Sequence, residues 1–361
     1  MIKDSSLLFI WDKIQNKKRL TIEDGLTMFS SQDVHGLGFM GNWVKEQKTG
    51  NRATFVMNRQ INPTNLCVLS CHFCDYASKE NWPNAYIMTK EDILSKCNDD
   101  LKEVHIVSGL YRGWSFEEYL DVIRVIKEKF PKIQVKAYTA VEIDFFSRRE
   151  KTSLENILKK MINAGVVCIP GGGAEVFSER VRKALFPFKI GAPKWLEVHK
   201  TAHKLGLRSN STLLYGHMET YEERLIHMTK LRDLQDETHG FLSFIPLAYQ
   251  PGDTQVVKHQ ASVIDDLKTI AISRLMLDNF DHIKAYWVTM GEDTASIALN
   301  YGADDIDGTI GEEKIMHAAK ASSPLLMAKE KLISLIKEAG RIPIERNCLY
   351  EDVHPEPELV S

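Results

Sequence analysis

The chain has 361 residues, of which 43% are apolar and 26% charged, and a net charge of −3. These are ordinary globular values, and they give no electrostatic case for a nucleic acid or an anionic membrane as partner. No apolar run approaches a membrane span, and the opening stretch is too short and too soon acidic for a signal peptide, so a cytoplasmic protein is expected.

The first 50 residues read as helical, with Leu7, Leu8, Ile10, Trp11 and Ile14 at helical spacing. Thr21 with Asp24 resembles the capped start of a second helix. From residue 54 a β-branched run, a polar or glycine-rich loop and an amphipathic helix repeat. Strands are predicted over 54–61, 103–107, 134–139, 166–169, 208–213, 240–245 and 283–288, with a weak last one at 305–308. The helices between them span 116–129, 153–164, 178–185, 193–205, 221–236, 264–279 and 294–300. This alternation predicts an α/β fold, a (β/α)8 TIM-type barrel or a nearly closed variant. A doubly wound open sheet is the weaker alternative, because Gly171-Gly172-Gly173 continues as Ala-Glu-Val and breaks the G-x-G-x-x-G pattern. A helix over 329–339 stops at Gly340, and 341–350 reads as irregular. The expected organisation is an N-terminal helical extension (1–50), a barrel (51–328), and a C-terminal helix and tail packed on it (329–361).

Cys67, Cys71 and Cys74 stand in a C-x3-C-x2-C pattern. Three thiolates so close can hold three corners of a [4Fe–4S] cube and leave the fourth iron open. A structural zinc site normally wants four ligands, and here the nearest extra candidates are His72, wedged inside the motif, and the distant Cys97. A non-enzymatic metal scaffold is a further alternative, and the many polar residues at strand ends argue against it. Cys97, Cys168 and Cys348 stand singly and read as small buried hydrophobes.

In a parallel barrel the chemistry sits at the C-terminal strand ends. Those ends present Ser108-Gly109, Glu142, Gly171-Gly172-Gly173 and Tyr215-Gly216-His217. The glycines permit close backbone approach, and the triplet is expected either to open a helix toward a ligand carboxylate or to make a tight turn. His217 follows a strand and is a candidate for proton donation or acceptance. His199 and His203 lie four apart on an outer helix but lack a third metal ligand.

The cysteine stretch, with the aromatic Phe73 before the third cysteine, resembles the radical S-adenosylmethionine (radical SAM) superfamily. The resemblance extends through INPTNLCVLSCHFC (61–74), YTAVEI (138–143), PGGGAEVF (170–177), LRSNSTLLYGHMET (207–220), LRDLQDETHGFLSFIPLAY (231–249) and EAGRIPIERNCLY (338–350). Together these segments look like the aminofutalosine synthase family of the futalosine route to menaquinone. Its sisters are a cyclase acting later in that route and the pair that builds the deazaflavin ring.

The resemblance implies a [4Fe–4S] cluster on Cys67, Cys71 and Cys74, with S-adenosyl-L-methionine (SAM) as co-substrate. It implies SAM contacts from Phe73, Tyr76, Ser108, Gly109, Glu142, Gly171, Gly172 and Gly173, with Glu142 set to accept from ribose hydroxyls. The implied reaction adds the 5′-deoxyadenosyl radical to 3-[(1-carboxyvinyl)oxy]benzoate; rearrangement and decarboxylation then give 6-amino-6-deoxyfutalosine. That substrate carries two carboxylates, for which Arg59, Arg208, Tyr215 and His217 are the candidate contacts, His217 also being the candidate catalytic residue. An electron donor such as flavodoxin or ferredoxin is implied as partner. Two departures stand out: Ser108-Gly109 replaces the usual Gly-Gly, and Asp75-Tyr76 follows the third cysteine in place of a small-then-aromatic pair.

Overall fold

Runs such as Val166-Val167-Cys168-Ile169 are too apolar for a half-wet strand and call for cover on both faces, which parallel strands wrapped by helices provide. The computed structural model, which describes residues 2–254 and 256–355, has this architecture. Its strands are β1 (Arg52–Val56), β2 (Asn58–Ile61), β3 (Glu103–Ile106), β4 (Gln134–Ala137), β5 (Val166–Ile169), β6 (Arg208–Tyr215), β7 (Phe241–Ala248), β8 (His282–Ile283), β9 (Asp305–Gly308) and β10 (Ile342–Arg346). Strands β2 to β8 form one seven-stranded parallel sheet in chain order, and β10, β1 and β9 form a second sheet.

The two sheets are one curled wall. Only Met57 separates β1 from β2. The Ala285 N–H donates to the Asp305 carbonyl at 2.8 Å, and the Thr309 N–H to the Val56 carbonyl at 3.2 Å. These bonds carry the wall from β8 through β9 to β1 and bring the barrel round on itself.

Local signals set the helices outside it. Ser115 and Glu118 form a capping box at the start of Phe116–Lys129, whose inner face buries Phe116, Tyr119, Leu120, Ile123 and Ile126. Thr21 and Asp24 cap Ile22–Ser30 in the same way, as expected. Helix Val34–Thr49 lies against Val263–Met276, and Gly41 is needed there because a Cβ would come within 2.5 Å of the Tyr301 carbonyl oxygen.

Two sequence expectations are corrected. The strand expected over 283–288 is only the two residues of β8, after which Trp287–Met290 is helical. Its apolar run serves burial rather than pairing, since the Trp287 indole N–H reaches the Gly308 carbonyl at 3.0 Å. The segment 341–350, expected to be irregular, contains β10, which pairs in parallel with β1 from Arg52↔Ile342 to Val56↔Arg346. Gly340 does end the preceding helix, with a left-handed φ of 76°. The last six residues of the expected C-terminal tail, 356–361, lie outside the described residues. Among the described residues no helix is long and apolar enough to cross a membrane.

Candidate active site

The strand ends open into a cavity of about 280 Å³, and all three motif cysteines line it. The cysteine loop is pinned across the mouth by its backbone. The Cys67 N–H donates to the Ser78 carbonyl at 3.1 Å, that of Val68 to Leu110 at 2.9 Å, and that of His72 to Leu185 at 2.7 Å. The Lys79 ammonium closes the loop from below, donating to the carbonyls of Cys67 at 2.7 Å and Leu69 at 2.9 Å.

All three thiols are free. Burial pushes the Cys71 thiol up to about 11 and raises Cys74, and the nearby Lys189 ammonium opposes both shifts. Lys189 pairs with Glu175 and lies 5.1 Å from the centre of the Phe73 ring, itself edge-on to Phe186. Among the described residues no three histidine, cysteine or acidic side chains converge as a cage for a single ion. A cubane spreads its thiolates over separate irons, so this donor set fits a cluster better than one zinc.

Ser108, Gly109, Glu142 and Gly171–Gly173 line the same cavity, as do Phe73 and Tyr76. A Cβ on Gly109 would strike the Leu66 carbonyl, so the glycine lets the cysteine loop sit on the end of β3. Gly171 passes as closely over the backbone of Ser211, and Gly173 is left-handed at φ 86°. The triplet does not open a helix: the next one, Glu179–Leu185, starts after Ser178. The Tyr76 hydroxyl donates to the Thr64 carbonyl at 2.9 Å and so braces the mouth.

Glu142 is not a loop residue. It is the third residue of helix Ala140–Arg149, which the sequence reading missed, and it forms a capping box with Thr139. One carboxylate oxygen accepts from the Ser108 N–H at 2.8 Å. The other accepts from the Thr139 N–H at 2.7 Å and its hydroxyl at 2.8 Å. Burial still prevails over these bonds and pushes its pKa up to about 7.

Four expected substrate contacts do not line the cavity. Arg59 sits between Asn58 and Gln60, which both face in, so strand alternation turns it outward. Arg208 opens β6 at the far end of the barrel and donates to the His239 carbonyl. The Tyr215 hydroxyl bonds Asp266 at 2.6 Å, on the outer side of the wall. His217 is tied to its own turn: Nε2 meets the Leu214 carbonyl at 3.0 Å, and Nδ1 accepts the Met218 N–H at 2.7 Å. Burial lowers its pKa, so the neutral ring acts as a staple. His199 and His203 both bond Ser209, at 2.9 and 2.7 Å.

The inward residues that sequence reading missed are Asn58, Gln60, His105, Lys136, Asn210 and Lys284, all on the cavity wall. Their signal is polar residues at alternate positions of strands that must be buried, as in Asn58-x-Gln60, Glu103-x-His105 and Asn210-x-Thr212.

A parallel barrel with three thiols and a glycine-rich loop lining one cavity at its mouth defines the radical SAM class. Residues 61–231 match the radical SAM superfamily, and residues 238–358 match the CofH/MqnC C-terminal region. The fold is that of methylornithine synthase (PylB), with a TM-score of 0.73 at 18% identity over 92% of this chain and 96% of that one. The hydrogenase maturase HydG of Carboxydothermus hydrogenoformans gives 0.71 at 14% identity, over 95% of this chain and 80% of that one.

Within that class the chain belongs to the aminodeoxyfutalosine synthase family. It is 42% identical to aminodeoxyfutalosine synthase of Thermus thermophilus, over 98% of this chain and 97% of that protein. Against cyclic dehypoxanthine futalosine synthase of Streptomyces coelicolor the identity is 34%, over 99% of this chain and 92% of that protein.

Proposed function

We propose that this chain makes 6-amino-6-deoxyfutalosine for menaquinone, from SAM and 3-[(1-carboxyvinyl)oxy]benzoate. The observation that carries the reading is one cavity onto which the three thiols, the glycine loop and a polar interior wall all open. Cys67, Cys71 and Cys74 would hold three corners of a [4Fe–4S] cluster, which when bound would supply the electron for splitting SAM into methionine and the 5′-deoxyadenosyl radical.

The chain's own residues do the rest. Phe73, packed edge-on to Phe186, lines the cavity beside the thiols, and Lys189 offsets the negative charge of the thiolates. Ser108, Gly109 and Gly171–Gly173 line the end of the cavity beside the thiols where SAM would lie, Gly109 and Gly171 shaping it by letting the chain's own backbone pack closely there. Glu142 fixes the Ser108 and Thr139 backbone and turns its remaining acceptor capacity toward the cavity. Val107, Leu214, Ile245 and Leu247 give the walls an apolar stretch that excludes water, so the radical adds to the alkene before it can take a hydrogen atom from a stray donor. A reduced flavodoxin or ferredoxin supplies the electron, and the site of action is the cytoplasm.

The kinship to the cyclase keeps a second reading, in which the radical abstracts hydrogen and leaves as 5′-deoxyadenosine. Anaerobic turnover with adenosyl-labelled SAM and the enol-ether substrate separates the two. Label in a covalent adduct is expected. Label solely in 5′-deoxyadenosine overturns the synthase reading and leaves a radical SAM enzyme for another substrate, the cyclase's being tested next, and uncleaved SAM overturns both.

A further inference from the structure

Below the mouth, three neighbouring strands present one polar row. Gln60 on β2 pairs in register with His105 on β3, and His105 with Lys136 on β4. All three line the cavity. Adjacent strands lie about 4.8 Å apart, so the three residues leave the wall side by side at one depth, the Lys136 ammonium then reaching toward Glu103 beneath His105.

Each member has capacity left over. The His105 Nε2 is out of contact with solvent and has no hydrogen-bond partner among the described residues. Burial, reinforced by the Lys136 charge, holds the His105 pKa down to about 3, so the ring is neutral and keeps one N–H. Lys136 sits 2.6 Å from Glu103. Burial works against its charge, but Glu103 overrides this and keeps it an ammonium, with donors to spare. The Gln60 amide gives one N–H to Glu313 at 3.2 Å and retains the second.

A row of N–H donors beside one ammonium suits a planar carboxylate. Strand direction supplies the rest of the ligand. Val107 lies two residues beyond His105 on the same face, nearer the mouth, and Leu214 likewise lies beyond Asn210 and Thr212. An aromatic ring standing on the row is therefore flanked by apolar side chains, with its far edge toward the cysteines.

We propose that Gln60, His105 and Lys136 anchor the ring carboxylate of a meta-substituted benzoate, with His105 as the residue that selects for it. This rests on the synthase reading, and it deepens it: the anchored carboxylate holds the meta substituent toward the end of the cavity where the thiols stand.

The test is calorimetric, on the full chain with its cluster reconstituted anaerobically. The probes are 3-hydroxybenzoate, its neutral counterpart 3-hydroxybenzamide, and SAM. Wild-type chain is expected to bind the benzoate more tightly than the amide. His105→Leu is expected to weaken the benzoate about tenfold, the value of one charge-assisted hydrogen bond, with amide and SAM affinities unchanged. His105→Gln, which restores an N–H, is expected to recover part of the loss. Should His105→Leu lose its native circular dichroism, His105→Asn carries the same expectation, its amide being too short to reach. Unchanged benzoate affinity overturns the anchor. So does an equal loss for benzoate and amide, a loss of SAM affinity instead, or a wild type that binds no benzoate. The two readings fail separately. Carboxylate-selective, His105-dependent binding without adduct formation sinks the synthase reading alone. Adduct formation with an unchanged substrate KM in His105→Leu sinks the anchor alone.

Discussion

Glu142 shows how one side chain can brace a mouth and titrate there. Its carboxylate caps a helix and holds the end of β3 through Ser108, yet burial raises its pKa from the ordinary 4.5 to about 7. Between those values the folded chain holds a proton that the unfolded chain has released. Its contribution to stability is therefore full below about pH 4.5 and is lost as pH rises through about 7. Glu142→Gln removes this slope. Denaturation at a series of pH values is expected to show the wild-type-minus-variant stability falling by about 3 kcal/mol from about pH 4.5 to about pH 8. A difference independent of pH would sink the assignment. Much of this site was legible in the sequence, because cysteine spacing and glycine runs are local constraints. The substrate contacts were not. Arg59 and Arg208 are attractive as cations, but whether a strand residue faces in or out depends on register, and both face away from the cavity while Lys136 faces in.

At the scale of elements, β10 is the instructive case. It runs beside β1 and brings Arg346 under the barrel, 2.5 Å from Asp305 and 3.9 Å from Glu103, with its guanidinium over Tyr350. Arg346 holds the Asp305 carboxyl well below the usual range, although burial alone would raise it. Removing one partner of such a buried set leaves an uncompensated charge. Arg346→Met is expected to lower the unfolding free energy by about 3–5 kcal/mol, read from the urea midpoint. Adding Asp305→Asn is expected to return part of that, and no recovery would show that the packing of the arginine, not its charge, was lost. The predicted strands carry a long strand-to-helix period and were legible for that reason, although the one expected over 54–61 is two, β1 and β2, broken at Met57. Sequence reading missed β10 because Ile-Pro-Ile-Glu-Arg has a proline and two charges in five residues, and its strand character comes from pairing with β1 alone. It overextended β8 for the converse reason: Tyr286-Trp287-Val288 has strand propensity, but the indole is recruited to Gly308.

The whole molecule ties its termini into the barrel more firmly than the division at residues 50 and 328 suggests. Arg232 and Lys268, both buried on helices of the barrel, donate to backbone carbonyls of the N-terminal segment, at Leu20 and Phe29, each at 3.0 Å. Removing residues 1–50 takes away those acceptors and uncovers the packed face of Val263–Met276. Removing residues 329–361 takes Arg346 from Asp305 and Glu103. In either truncation, buried charges lose partners inside a structure whose net stability is only about 5–15 kcal/mol. Losing a buried ion-pair partner costs about 3–5 kcal/mol, and losing a hydrogen bond to a charged group about 1.5–3 kcal/mol. The full chain is therefore expected to unfold in a single transition by calorimetry, with calorimetric and van't Hoff enthalpies in agreement. A fragment of residues 51–328 is expected to show no cooperative transition at all. If that fragment melts cooperatively, the terminal segments are additions to an independent barrel. If it does not, the three segments are one folding unit, and the cavity exists only when the chain's two ends have closed around it.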